Sequence, residues 1–289
     1  MNKKIDTLIM KGKPVSDKII KVLVSRIERL KKSSGRSPGL AVILVGEDPA
    51  SQVYVRLKGK MADKIGIETY DYRLSSDVSF QELSDLIEKL NQDSKIDGIL
   101  VQLPLPSTFD ETEILKKVDP LKDVDVFHSE NFGKLSLKQP GPKSCTPAGV
   151  LEILKFYGFQ MEGKNVVIIG RSKIVGLPLS ILMLHENATV TICHSRTEKI
   201  GEVTKSADIL IAAVGRANFV SAEMVKEGAI VVDVGTNRLD DKLVGDCDFA
   251  SLMGKVSAIT PVPGGVGPMT ISMLMVNTVN AFENHISVT

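Results

Sequence analysis

The strongest constraint on the fold is an alternation that runs along most of the chain. Short apolar runs of strand character are each followed by a stretch with helical spacing, the pattern of an α/β protein with a largely parallel sheet. "GLAVILVG" (39–46) reads as a buried strand. "DPASQVYVRLKGKMADKIG" (48–66) then reads as a helix, with Asp48 as N-cap, Pro49 at its first position and Gly66 at its end. Residues 70–74 predict a strand, 79–93 a helix, and "DGILVQLPLP" (97–106) a strand running into a proline-rich turn. "CTPAGVLEILKFYG" (145–158) predicts a helix opened by Thr146 and Pro147.

A second series follows: strands at 165–170, 188–194, 207–215 and 228–235, with a helix from about Val175. A terminal helix over 270–284 is expected to return to the first domain. The loop-like "LKQPGPKS" places the domain boundary near residues 140–150. At 289 residues the chain is long enough for two domains, each with its own core. Lys plus Arg number 36 against 35 Asp plus Glu, so no overall charge draws the chain to nucleic acid or to a membrane surface. Cys145, Cys193 and Cys247 are widely spaced, which predicts reduced thiols rather than a disulfide or zinc framework. The N-terminal stretch lacks the apolar core of a leader and no run is long enough to span a bilayer, so a cytoplasmic protein is expected.

"NVVIIGRSKIVGLPLSILML" (165–184) has the form of a strand–turn–helix unit that receives a pyrophosphate. The helix N-terminus would offer amides and a positive dipole end. The GxGxxG pattern is absent: counting from Gly170, its later glycine positions hold Ser172 and Val175, with Gly176 just beyond. Taken alone, the unit is as consistent with plain α/β architecture. The next strand ends in "CHSRT", where an NAD site would carry a carboxylate for the ribose hydroxyls. Ser195, Arg196 and, in the first turn, Arg171 suit a 2′-phosphate, so a bound dinucleotide would be NADP rather than NAD.

Tyr54 and Lys58 are four apart and share a face of the predicted helix, beside an apolar stripe read as Ala50, Leu57, Met61 and Ile65. The pair is either a solvated surface pair or the wall of a cleft, where a partly desolvated lysine could exchange protons. Gln102 ends a predicted strand, at the edge where parallel sheets border ligand crevices. Asp123 and Asp125, in "KDVDVFH", are two apart and would share a side of an extended backbone. Metal ligation, hydrogen bonding to an amino-heterocycle and helix capping all remain open for them, though no third ligand stands at metal spacing. "TPVPGGVGPMT" (260–270) packs Pro261, Pro263 and Pro268 around Gly264, Gly265 and Gly267, which predicts a loop of specified shape.

These blocks occur in order between residues 50 and 270 as "ASQVYVRLK", "VQLPLP", "KDVDVFH", "CTPAG", "GRSKIVGLP", "CHSRT", "DVGTN" and "PVPGGVGPMT", within a likeness that extends from about residue 39 to 278. Together they resemble the bifunctional methylenetetrahydrofolate dehydrogenase/methenyltetrahydrofolate cyclohydrolase family, in its short bacterial form. The resemblance implies two α/β domains with a cleft between them. Residues 1–145, completed by a C-terminal helix at 270–289, would form the folate-binding catalytic domain, and 146–269 a Rossmann-like NADP-binding domain. It implies Lys58 as the catalytic lysine, Tyr54 packed on the folate, Gln102 tuning Lys58, and Asp125 bonded to the pterin. Pro263, Gly264 and Gly265 would line the substrate. Gly170, Arg171, Ser172, Ile174, Val175, Gly176, Ser195, Arg196 and Thr236 would hold NADP. The resemblance also implies a homodimer acting on tetrahydrofolate derivatives, with no metal.

Two positions depart from the family pattern. Val126 stands where glycine is usual, next to Asp125, and Cys247 replaces a usual valine in "GDCDF". The rival readings are another two-domain NADP oxidoreductase of the shikimate dehydrogenase type, and a non-catalytic NADP- or folate-binding protein whose altered Asp125 loop has cost it activity.

Overall fold

Gly39–Val45, seven residues without a charged or polar side chain, forms a strand buried along its whole length. A strand enclosed on both faces has no need of alternation, which is why an uninterrupted apolar run serves it. The computed structural model describes residues 5–240 and 242–288. The chain divides into two compact units, one made of the chain up to Asp17 with Cys145–Thr270, the other of Lys18–Ser144 with the chain from Ile271.

In the second of these units Gly39–Val45 is the middle strand of a three-stranded parallel sheet, between Glu68–Leu74 and Gly98–Val101. Helices Pro49–Ile65 and Phe80–Gln92 connect the strands. The first opens as expected: the Asp48 carboxylate accepts from the Ser51 amide at 2.7 Å, and Pro49 follows. It closes on Gly66 at φ 88°, a left-handed cap that glycine reaches without strain. Ser79 and Glu82 form a reciprocal capping box on the second. Ile43, Leu83, Ile87 and Ile99 fill the core between these elements. Asp97, buried at the start of the third strand, accepts two bonds from Arg36 at 2.7 Å each and lies 2.8 Å from Nδ1 of His285. Arg36 in turn lies over the ring of the buried Phe282, so this cluster anchors the C-terminal helix to the sheet.

The other unit holds a six-stranded sheet, all parallel, in the order Leu8–Ile9, Ala258–Ile259, Ile230–Asp233, Ile209–Ala212, Asn165–Ile169, Thr189–Cys193. The chain leaves Asn165–Ile169 to one side and later returns to its other side. The strand order therefore reverses there, the place where open α/β sheets bind ligands. Val167, Ile169, Leu210, Val231 and Cys247 lie in its core, and all three cysteines are buried and unbridged.

Several expectations are revised. Residues up to Asp17 cluster with this second sheet rather than with the rest of 1–145. The reason is a strand of two residues, too short for any pattern to reveal: Leu8–Ile9 pairs with Ala258–Ile259, and the Thr7 hydroxyl donates to the Val256 carbonyl at 2.8 Å. A 23-residue helix, Gly12–Ser34, was not anticipated. The strand within 97–106 that runs into a proline-rich turn is found as expected, at Gly98–Val101, since the prolines that follow cannot extend the ladder. The terminal helix begins earlier than expected, at Gly267, with Pro268 tolerated in its first turn. A hairpin of Asn237–Leu239 and Lys242–Val244 was also missed. Residues 1–4 of the N-terminal stretch and Thr289 of the expected terminal helix lie outside the described residues. No helix among the described residues is long and apolar enough to cross a membrane.

Candidate active site

The helix Pro49–Ile65 buries Ser51, Val55, Lys58, Ala62 and Ile65, a stripe spaced four, three, four and three. The apolar stripe read from sequence was out of phase, since Leu57 is 44% exposed. Counting only hydrophobic letters hid the true stripe because its central member is a lysine. Lys58 is only 5% exposed, and a lysine almost never occupies such a place unpaired. Its ammonium donates to Oε1 of Gln102 at 2.9 Å.

Gln102 sits one residue beyond Gly98–Val101, with its backbone amide still donating to Ile43 at 2.9 Å. Its side-chain nitrogen donates to the Leu103 carbonyl at 2.6 Å. That bond fixes which end of the amide faces Lys58. Tyr54, one turn earlier on the same helix, is half-buried.

Asp123 and Asp125 do not share a side of an extended backbone, because the segment turns back on itself. Asp123 is buried and its carboxylate accepts from the amides of Val126 (3.0 Å), Phe127 (3.1 Å) and His128 (2.9 Å), and from the Asn131 side chain at 3.0 Å. Of the open readings, helix capping falls to His128, whose Nδ1 accepts from the Glu130 amide at 3.1 Å, while Asp123 gathers the loop amides that precede the helix Ser129–Ser136. Asp123 winds the loop that leaves Asp125 half-buried. Val126 is 3% exposed and held at φ 66°, a conformation that is rare for a β-branched residue. The loop keeps the shape that glycine would adopt freely.

In the other unit Gly170 (φ 124°) and Gly176 lie against one another across the turn after Asn165–Ile169. A Cβ on Gly176 would overlap the Gly170 carbonyl, and one on Gly170 the Ala213 carbonyl. Here the glycines permit close packing of strand, turn and helix. The expectation that helix Gly176–His185 opens with unengaged amides is not met. The Ser172 hydroxyl accepts from Val175 at 3.1 Å and Gly176 at 3.4 Å, and its carbonyl accepts from Leu177 at 3.1 Å. Arg171, Ile174, Ser195, Arg196 and Thr236 are exposed. "HSRT" is a tight turn, with the His194 amide donating to the Thr197 hydroxyl at 2.9 Å and the Arg196 amide to Nδ1 of His194 at 3.1 Å.

The proline–glycine loop is held from within. Gly265 cannot carry a side chain, since a Cβ would lie 2.5 Å from the Pro261 carbonyl. Gly264, at φ 100° with open space before it, accepts from the Gly12 amide at 2.9 Å, and Val262–Pro263 is cis. Sequence reasoning missed Asp123 as the loop's organiser and overlooked two buried carboxylates, Asp233 at the end of the strand Ile230–Asp233 and Asp246 beyond it. The adjacent glycines in "DVG" and "GD" were the only signal. Among the described residues no group of three or more His, Cys, Asp or Glu is placed to hold a metal ion.

A parallel sheet that reverses strand order beside a glycine turn, with arginine and serine rather than a carboxylate after the next strand, defines a dinucleotide-binding α/β protein. The donors and close-packed glycines fit a phosphorylated dinucleotide. The tetrahydrofolate dehydrogenase/cyclohydrolase catalytic domain profile matches residues 10–125, and the NAD(P)-binding domain profile of the same family matches 144–286. The chain belongs to the tetrahydrofolate dehydrogenase/cyclohydrolase family. It is 53% identical over 282 residues to the Bifunctional protein FolD of Maridesulfovibrio salexigens, covering 96% of this chain and 99% of that one. The crystal structure of the bifunctional FolD methylenetetrahydrofolate dehydrogenase/cyclohydrolase from Campylobacter jejuni is 48% identical with a TM-score of 0.94, covering 96% of this chain and 99% of that one. The Trypanosoma brucei dehydrogenase-cyclohydrolase, solved with NADP and an inhibitor, is 37% identical with a TM-score of 0.94, covering 97% and 98%.

Proposed function

We infer that the chain oxidises 5,10-methylenetetrahydrofolate to 5,10-methenyltetrahydrofolate with NADP⁺ and then hydrolyses that product to 10-formyltetrahydrofolate, as an enzyme of one-carbon metabolism. Family membership supports both activities. The observation that carries the site is Lys58, buried in its helix stripe and bonded to an oriented Gln102.

When bound, NADP⁺ supplies a hydride acceptor for the methylene carbon, and the adjacent ring nitrogen's lone pair stabilises the cation that remains. The chain's task in that step is orientation. Tyr54 offers a half-buried ring for the flat folate and Asp125 an acceptor for the amino-pterin edge. In the second step water adds to the methenyl carbon, and Lys58 carries the proton transfers that open the ring. Gln102 holds the Lys58 ammonium in place. Pro263, Gly264 and Gly265 serve the folate. The cofactor falls to Gly170, Arg171, Ser172, Ile174, Val175, Gly176, Ser195, Arg196 and Thr236, with Arg171, Ser195 and Arg196 recognising the 2′-phosphate.

Lys58, Gln102, Tyr54 and Asp125 belong to the unit of 18–144 with the chain from 271, and the dinucleotide residues, with Pro263, Gly264 and Gly265, to the unit that contains 145–270. The same reading takes the chain as a cytoplasmic homodimer acting on small molecules, without nucleic acid or membrane partners. The near-balance of 36 basic against 35 acidic residues supports the absence of a nucleic-acid partner.

Mixing the protein with 5,10-methylenetetrahydrofolate and either NADP⁺ or NAD⁺, while following reduced nicotinamide and methenyltetrahydrofolate together, tests the reading. NADP⁺ is reduced without methenyl build-up in the native chain, and Lys58→Ala makes methenyltetrahydrofolate accumulate. Turnover with NAD⁺ alone would refute the roles of Ser195 and Arg196. Folate binding without reduction of either cofactor would favour the non-catalytic alternative.

A further inference from the structure

Two buried carboxylates tie together the loops that follow strands Ile209–Ala212 and Ile230–Asp233, and the chemistry above uses neither. Asp246 is 0% exposed. Its Oδ2 accepts from the amides of Val214 (2.6 Å) and Gly215 (3.1 Å), and its Oδ1 from the Arg216 amide (2.8 Å) and the Asn237 side chain (2.9 Å). Asp233, 3% exposed, accepts from Gly235 (3.0 Å), from Asp246 itself (2.9 Å) and from Cys247 (2.8 Å).

The two halves fit each other reciprocally. A Cβ on Gly235 would overlap the Asp246 carboxylate, and a Cβ on Gly245 would overlap that of Asp233. The donors around the pair are backbone amides, one side-chain amide and the Cys247 thiol at Asp233, with no cation among them. Two carboxylates out of water are costly to hold this way. Burial pushes the Asp233 carboxyl up to about 6, against the pull of its amide donors, and the neighbouring Asp246 adds to the rise. An apolar filling of the same volume would avoid that cost, so the arrangement answers a demand on loop shape. Both loops stand at the carboxyl ends of parallel strands, the edge at which such sheets receive ligands. The second carries Thr236, held between Gly235, packed on Asp246, and Asn237, bonded to it.

We propose that Asp246, braced on Asp233, is a positioning residue for the dinucleotide, fixing the backbone of 214–216 and 235–237 in the form that receives it. The inference rests on the dehydrogenase reading above. Asp246→Asn keeps the shape but turns a donor toward two of the four donors the carboxylate now satisfies, which pushes one loop away. Asn237→Ala removes only the side-chain donor and leaves the buried pair otherwise intact.

The test is calorimetric titration of each full-length protein with NADP⁺, alongside hydrolysis of methenyltetrahydrofolate, a step that needs no nicotinamide. The dissociation constant for NADP⁺ is expected to rise about tenfold or more in Asp246→Asn and several-fold in Asn237→Ala, while methenyl hydrolysis persists. If Asp246→Asn does not fold, Asn237→Ala decides. Unchanged NADP⁺ binding in a folded variant, or loss of binding and hydrolysis in equal measure, overturns the proposal and leaves the dehydrogenase reading standing. A native protein that binds no NADP⁺ overturns both.

Discussion

Val126 offers a test of the local physics of the loop that Asp123 organises. It is 3% exposed at φ 66°. Holding a non-glycine residue in the left-handed region costs about 1–2 kcal/mol. Truncation to alanine removes two buried carbons at about 0.8 kcal/mol each and leaves most of that strain, for a net loss of about 1.6 kcal/mol. Truncation to glycine removes three carbons, about 2.4 kcal/mol, and adds about 0.5–1 kcal/mol of unfolded-state entropy. It also releases about 1.5 kcal/mol of strain, which again leaves a net loss of about 1.6 kcal/mol. At an ordinary buried position glycine would be worse than alanine by about 1.5 kcal/mol; here the two should agree within about 0.5 kcal/mol. Urea unfolding of Val126→Gly and Val126→Ala, followed by a probe in this unit, measures the difference. Glycine falling below alanine by more than about 1 kcal/mol would refute the strain argument. The amides of 126–128 that Asp123 collects are backbone groups, so the glycine variant retains the loop's anchor and its substrate KM should change less than about threefold.

The remaining predictions concern the dinucleotide unit. Asp233 is raised from 3.8 to about 6, mainly by burial, with Asp246 and the Cys247 thiol facing it. The folded state therefore holds the proton more tightly than the unfolded one, and the contribution to stability is fully present below about 4 and is lost as pH rises through about 6. Between pH 5 and pH 7 the native protein should lose about 1 kcal/mol relative to Asp233→Asn in denaturant melts, and a flat or opposite difference would sink the assignment. Gly176→Ala drives a methyl group into the Gly170 carbonyl. The turn must move, so the KM for NADP⁺ should rise about tenfold; an unchanged value would mean that the cofactor does not rest on that turn.

The sequence makes some of this legible and hides the rest for physical reasons. Strand–helix alternation and local caps depend on residues near one another in the chain, so Asp48, Pro49 and Gly66 announce their helix directly. The resemblance pairs Gln102 with Lys58, but the spacing of the letters alone does not bring them together. What joins them is the burial of a lysine inside an apolar stripe, which a count of hydrophobic letters assigns to the wrong face. Leu8–Ile9 is invisible because its two residues gain their structure wholly from Ala258–Ile259, some 250 positions away. Asp123, Asp233 and Asp246 are hidden more deeply. A surface aspartate and a buried one have the same letter, and only the amides folded around each carboxylate tell them apart. At Asp123 those amides hold Val126 in a conformation that its own chemistry resists. Local propensity fails there because tertiary bonds outweigh it, and a strained residue persists only where its surroundings over-determine it.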